Sequence, residues 1–116
     1  MPTARDALAD DIKELMDAGQ ELRDLILVNR RAFAKGLKLL DQGVPLVEAL
    51  SQLQTAERRT QMTDALSHFE ERRHRLRLSI TKAGLQEGMS IGEIGRAFGI
   101  SRQLAARFAK EVHGKR

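Results

Sequence analysis

The 116-residue sequence contains no cysteine, no tryptophan and no tyrosine, and only two prolines. Without cysteine there can be no disulfide, and nothing argues for an oxidising compartment. Four phenylalanines are the only aromatic rings, too few to build a platform on which single strands or RNA loops stack. The most apolar run, residues 25–28, falls far short of the roughly 20 residues that span a bilayer, and no secretion signal is apparent. A membrane is therefore not an expected partner. The expected setting is a bacterial cytoplasm, in association with the nucleoid.

Catalytic constellations are missing as well. His68, His74 and His113 lack metal-ligand spacing, the first two being six apart on different helical faces. There is no glycine-rich phosphate loop and no serine in a nucleophile elbow. The acid pairs Asp10/Asp11 and Glu70/Glu71 read as helix-surface charges. The expectation is a protein that is not an enzyme and needs no metal, cofactor or small-molecule ligand.

What is present is a sequence dominated by alanine, leucine, arginine and glutamate, a composition that favours an all-α fold. Its charge is unevenly placed. Residues 1–57 hold 7 Lys/Arg against 10 Asp/Glu, and residues 58–116 hold 13 against 6. The division this suggests is a helical scaffold and dimerisation region at 1–57 and a DNA-binding region at 58–116. The basic half would face phosphates and the acidic half would stay off them.

From about Thr3 or Arg5 a long helix is expected, with Asp6, Asp10 and Asp11 suited to its positive end; Met1 to Ala4 are expected to be loose. Leu8, Ile12, Leu15, Gly19, Leu22, Ile26, Asn29, Phe33, Gly36 and Leu40 recur at alternating gaps of 4 and 3, a heptad row. Ala18, Leu25, Ala32 and Leu39 widen its apolar face. Such a face needs a partner, either the rest of the chain or a second copy. Leu8, Ile12, Leu15, Leu22, Ile26 and Phe33 are the expected contacts of a homodimer. Asn29 is polar in this row; it reads either as a device fixing register or as an exposed residue where helices diverge.

Asp41-Gln42-Gly43 and Pro45 stop the first helix. A short helix over 46–53 should follow, with Leu46, Val47, Leu50 and Leu53 inside. Thr55 should cap a third helix, Ala56 to about Gln86, that presents Met62, Leu66, Phe69, Leu76, Ile80 and Ala83 on one side. Arg73 interrupts that side, where a bend or a change of partner is expected. Arg72, Arg73, Arg75 and Arg77 could bind phosphates; the competing reading is that Glu70 and Glu71 pair with Arg73, Arg75 or His74 at helical spacing on a solvated face.

The most informative stretch is residues 90–112, SIGEIGRAFGISRQLAARFAKEV. Ser90 and Glu93 form an S-x-x-E capping box that opens one helix. Gly99 suits a left-handed reversal, and Ser101 is a good N-cap for the next helix. On that second helix Leu104, Ala105, Phe108, Ala109 and Val112 share one face, while Arg102, Gln103, Ala106, Arg107 and Lys110 share the opposite arc, with no acid among them. A helix that packs by one side and offers Arg and Gln on the other is suited to a DNA groove.

The stretch GMSIGEIGRAFGISRQLAARF resembles the helix-turn-helix DNA-binding domains of resolvase and invertase recombinases and of many bacterial repressors. Small Gly95, Gly99 and apolar Ile94, Phe98, Ile100, Ala105 and Phe108 carry the likeness, which covers about a quarter of the chain. The resemblance implies reading of double-stranded DNA; there is no room for a recombinase catalytic domain. Arg102, Gln103, Ala106 and Arg107 are the expected base contacts, and Ser90, Ser101, Lys110 and Arg77 the expected phosphate contacts. The whole is expected to be all-α: two long helices form an elongated scaffold, with the helix-turn-helix at the C-terminal end of the chain. The function expected is that of a dimeric transcriptional regulator. The alternatives are an architectural DNA protein of little sequence preference and a helical adaptor docking a protein partner. The last residues, His113 to Arg116, are expected to fray.

Overall fold

A computed structural model describes residues 3–114. Expectations for Met1, Pro2, Lys115 and Arg116 lie outside the described residues. The chain is all-helical, with α1 (Ala4–Asp41), α2 (Leu46–Gln52), α3 (Thr55–Gln86), α4 (Ile91–Phe98) and α5 (Arg102–Gly114). Helix α1 starts at Ala4 because Thr3 and Asp6 cap it reciprocally. The Asp6 N–H donates to Thr3 Oγ1 at 3.1 Å, and the Thr3 N–H donates to Asp6 Oδ2 at 3.0 Å. At the other end α5 stays helical through His113 and Gly114, so the expected fraying does not reach them.

The helices fall into two compact units. One combines Met1–Met16 with Glu71–Arg116, and the other is Asp17–Glu70. The division cuts α3 just before Arg73, where the sequence breaks its apolar side.

In the unit Asp17–Glu70, α1 turns inward the row that the heptad reading treats as secondary. Ala18, Ala32 and Leu39 are buried, with Leu25 half-buried. Ile26, Phe33 and Leu40 are exposed. Ile12, on the part of α1 that belongs to the other unit, is exposed too, whereas Leu8, Leu15 and Leu22 are half-buried. The apolar face of α1 is therefore wider than the surface the chain itself covers, and the six expected dimer contacts divide between its two flanks.

Helix α2 also departs from expectation. Leu46, Val47 and Leu50 are exposed, Val47 at 79%, while Ala49 is buried and Leu53 half-buried. The short helix docks through its smallest side chain, and the Leu53 methyl lies directly over Gly36 of α1. A Leu46/Leu50 face is too bulky for that approach. Thr55 is the first residue of α3 rather than its cap: its hydroxyl donates back to the Leu50 carbonyl at 3.1 Å. The Gln54 carbonyl takes the first helical bond, from the Arg58 N–H at 3.0 Å.

Asn29 is 4% exposed, so it does not mark a place where helices diverge. Its Oδ1 has no hydrogen-bond partner. A buried carbonyl left unpaired costs about 1–3 kcal/mol. A groove lined by Ala32, Phe33, Leu53 and Met62 beside it offers room for a slightly larger side chain. Asn29→Leu is therefore expected to raise the unfolding free energy by about 1–2 kcal/mol, measured by urea denaturation. A loss of stability would show that the amide is used.

Candidate nucleic-acid interface

Both helices of the C-terminal stretch begin as their sequence dictates. At α4, the Glu93 N–H donates to Ser90 Oγ at 3.1 Å, and Glu93 Oε1 accepts from the Ser90 N–H at 3.1 Å. At α5, Ser101 Oγ accepts from the Leu104 N–H at 3.1 Å, and the Ser101 carbonyl takes the first helical bond, from Ala105, at 3.0 Å. Between them Gly99 sits at φ 79°, a left-handed backbone that an L side chain adopts only with strain. The Ile100 N–H then closes on the Gly95 carbonyl at 2.9 Å.

Gly95 sets how tightly the turn folds back. A Cβ there would lie 3.2 Å from the Ile100 carbonyl oxygen and 3.6 Å from Ala105 Cβ. The helix pair is thus joined by three residues and held at close range by backbone.

The underside of α5 is buried: Ala105, Phe108 and Ala109 fully, Leu104 and Val112 in part. Helix α3 braces it. The His74 ring meets Phe108 edge to face, with centroids 6.0 Å apart and planes at 71°, and His74 Nε2 lies 3.0 Å from Glu111 Oε1. Glu111 is the only acid in α5, so this contact turns the helix's one negative charge away from its outer arc.

That outer arc carries every expected base contact. Arg102, Gln103, Ala106, Arg107 and Lys110 are all exposed. None of the three cations has an ion-pair partner among the described residues. The arginines of α3 behave differently: Arg72 and Arg75 reach Glu14 at 2.8 and 3.3 Å, and Arg75 also reaches Glu71 at 3.5 Å. Arg75–Glu71 is the pairing expected on a solvated face; Glu14 of α1, which takes both arginines, is an acceptor outside that expectation. Arg77 is half-buried on α3, where its carbonyl accepts from the Thr81 hydroxyl at 2.9 Å. Ser101 sits at the start of the α5 arc, and Ser90 at the start of α4.

Three supports escaped the sequence reading. The His74–Glu111 contact joins residues 37 apart, Glu14–Arg72 residues 58 apart, and the Ser79 hydroxyl donates to Asp11 across 68. No local spacing signals pairs that distant.

Comparison with protein-family models, with curated proteins and with solved structures finds no match to this chain.

One titration follows from the cap. The Ser90 backbone N–H, and after it the Ser90 hydroxyl, hold the Glu93 carboxyl below the usual glutamate range. A depressed folded value means that the stabilisation is fully present above the unfolded value and is lost as pH falls through the folded one. The stability difference between native protein and Glu93→Gln is expected to shrink as urea unfolding is moved from neutral pH into the acid range. A difference constant with pH would show that the carboxylate charge plays no part in the cap.

Proposed function

We propose that the chain binds double-stranded DNA without catalysis, laying α5 in the major groove. The observation that carries this is the arc of α5: three cations without an ion-pair partner among the described residues and one amide, exposed, with the helix's only acid tied to α3 and its apolar side packed. An outer arc of this kind has no stabilising role within the chain, and it matches duplex DNA, which is anionic and displays acceptors on its bases.

Arg102 and Arg107 are the readers of guanine, Gln103 the reader of adenine, and Ala106 lies closest to the base floor. Phosphates fall to Lys110 and to the N-terminus of α5. There the Arg102 and Gln103 amides have no helical acceptor, and Ser101 adds a hydroxyl. The N-terminus of α4 is less suited. The Glu93 carboxylate already supplies its anion, which leaves Ser90 the weaker phosphate contact.

The test is fluorescence anisotropy against a random-sequence duplex pool over a salt series, followed by selection from that pool. Binding that weakens as a power of salt concentration, with enrichment of a defined site, is the expected result. Binding with no enrichment would make the protein an architectural DNA binder instead. No binding to any duplex at about 50 mM salt would overturn the proposal.

A further inference from the structure

In the unit Asp17–Glu70 most fully buried apolar side chains are alanines, while several large ones are exposed. Its fully buried apolar residues are Ala18, Ala32, Leu39 and Ala49. Along one stripe of α1 it exposes Ile26 (50%), Phe33 (70%), Leu37 (71%) and Leu40 (56%). At 100° per residue these four lie within an arc of about 60°, beside the inward row and distinct from it. The stripe offers on the order of 400 Å² of apolar surface, the size of the largest patch on a typical monomer, which is often functional.

We propose that a second copy of the chain covers this stripe, with the two α1 helices antiparallel about an axis near residue 35. Charge commits the surface to its own copy. In a register centred near residue 35, Phe33 of each copy packs on Leu37 of the other, and the charges flanking the stripe have nearly the same midpoint. Arg30 and Asp41 lie on the outer edge of the stripe, and neither has a partner among the described residues. Antiparallel helices pair like edges, and this register sets Arg30 of each copy against Asp41 of the other, twice by symmetry. In a parallel pair in register the two positions are 11 residues, about 16 Å, apart and never meet.

The stem of Arg30 extends the contact, while Ile26 and Leu27 fall opposite residues 43–44 of the other copy, past the end of its α1, so the α1–α1 area stays below the roughly 800 Å² per partner of a stable interface. This places the dimer among concentration-dependent ones. Self-association does not depend on DNA binding, and its test uses no DNA.

The experiment is sedimentation equilibrium on the full chain over a dilution series reaching about 100 μM. Native protein is expected to double its mass across the series. Leu37→Glu, at a position too exposed to affect the fold, is expected to be monomeric with unchanged helicity. Arg30→Asp and Asp41→Arg should each weaken the dimer about tenfold, and the double variant should recover most of the loss. A native protein that stays monomeric throughout overturns the proposal and leaves the stripe to a different protein. A dimer that Leu37→Glu does not dissociate overturns the surface. Single charge reversals that the double variant does not rescue overturn the antiparallel register.

Discussion

Ile94→Ala is expected to lower the unfolding free energy by about 2–5 kcal/mol, the range for removing a buried branched side chain. Ile94 is 2% exposed and is one of the two largest fully buried side chains. It lies over Gly84 of α3, with both Cδ1 and Cγ1 within 3.1 Å of where a Cβ on Gly84 would sit. Ile80, Ala83, Met89 and Phe98 line the groove around it.

In the unit that holds Ile94, the buried Ala83, Ala105 and Ala109 have no spare atoms to swing into a void, whereas the flexible Met89 beside Ile94 can fill part of one. The loss should thus fall near the middle of the range. Against the 5–15 kcal/mol typical of a domain, this is roughly a quarter or more of the total. Urea denaturation followed by far-UV circular dichroism, at one fixed protein concentration, measures it. A change below about 1 kcal/mol would mean that α4 contributes little to the cooperative unit. Ile26→Ala is the control: half-exposed on the outer stripe, it should cost well under half as much.

The second large effect concerns the proposed interface. Arg102→Ala and Arg107→Ala are each expected to cost about 1–3 kcal/mol on the selected site, or roughly 5- to 150-fold in affinity, and to relax the preference at one base pair. Neither guanidinium makes an ion pair among the described residues, so removing it orphans no described acid and stability should change little. Lys110→Ala should instead weaken all sequences alike and reduce the salt slope by about one. Anisotropy titrations on matched and mismatched duplexes separate the two patterns. If all three variants lost affinity equally on every sequence, α5 would be a phosphate clamp and not a reader.

Most of what positions α4 and α5 was legible because it is local. A serine three residues before a glutamate, and a serine before an Arg-Gln pair, state where each helix begins, and a glycine states where the first ends. The amphipathic pattern of α5 identifies the exposed arc, because only one of its faces is apolar. Helix α1 resisted the same treatment. Its Ala18/Leu25/Ala32/Leu39 and Ile12/Ile26/Phe33/Leu40 rows are both apolar and share a period of seven. Periodicity therefore cannot say which one faces inward. The deciding information is the size of the opposing residues: alanines permit the close approach that isoleucine and phenylalanine prevent. Helix α2 repeats the lesson, docking by Ala49 where leucines looked the better anchors.

The composition of the first unit also bears on how the molecule is made. Residues up to Met16 belong with Glu71 onward, and the Arg5–Glu87 ion pair closes a separation of 82 residues. Synthesis proceeds from the N-terminus at about 5–20 residues per second. The opening turns of α1 must therefore wait some seconds on the ribosome before their counterparts in α3 exist, while Asp17–Glu70 is already whole. That second unit is then free to form first, and the opening turns of α1 join α3 only after it.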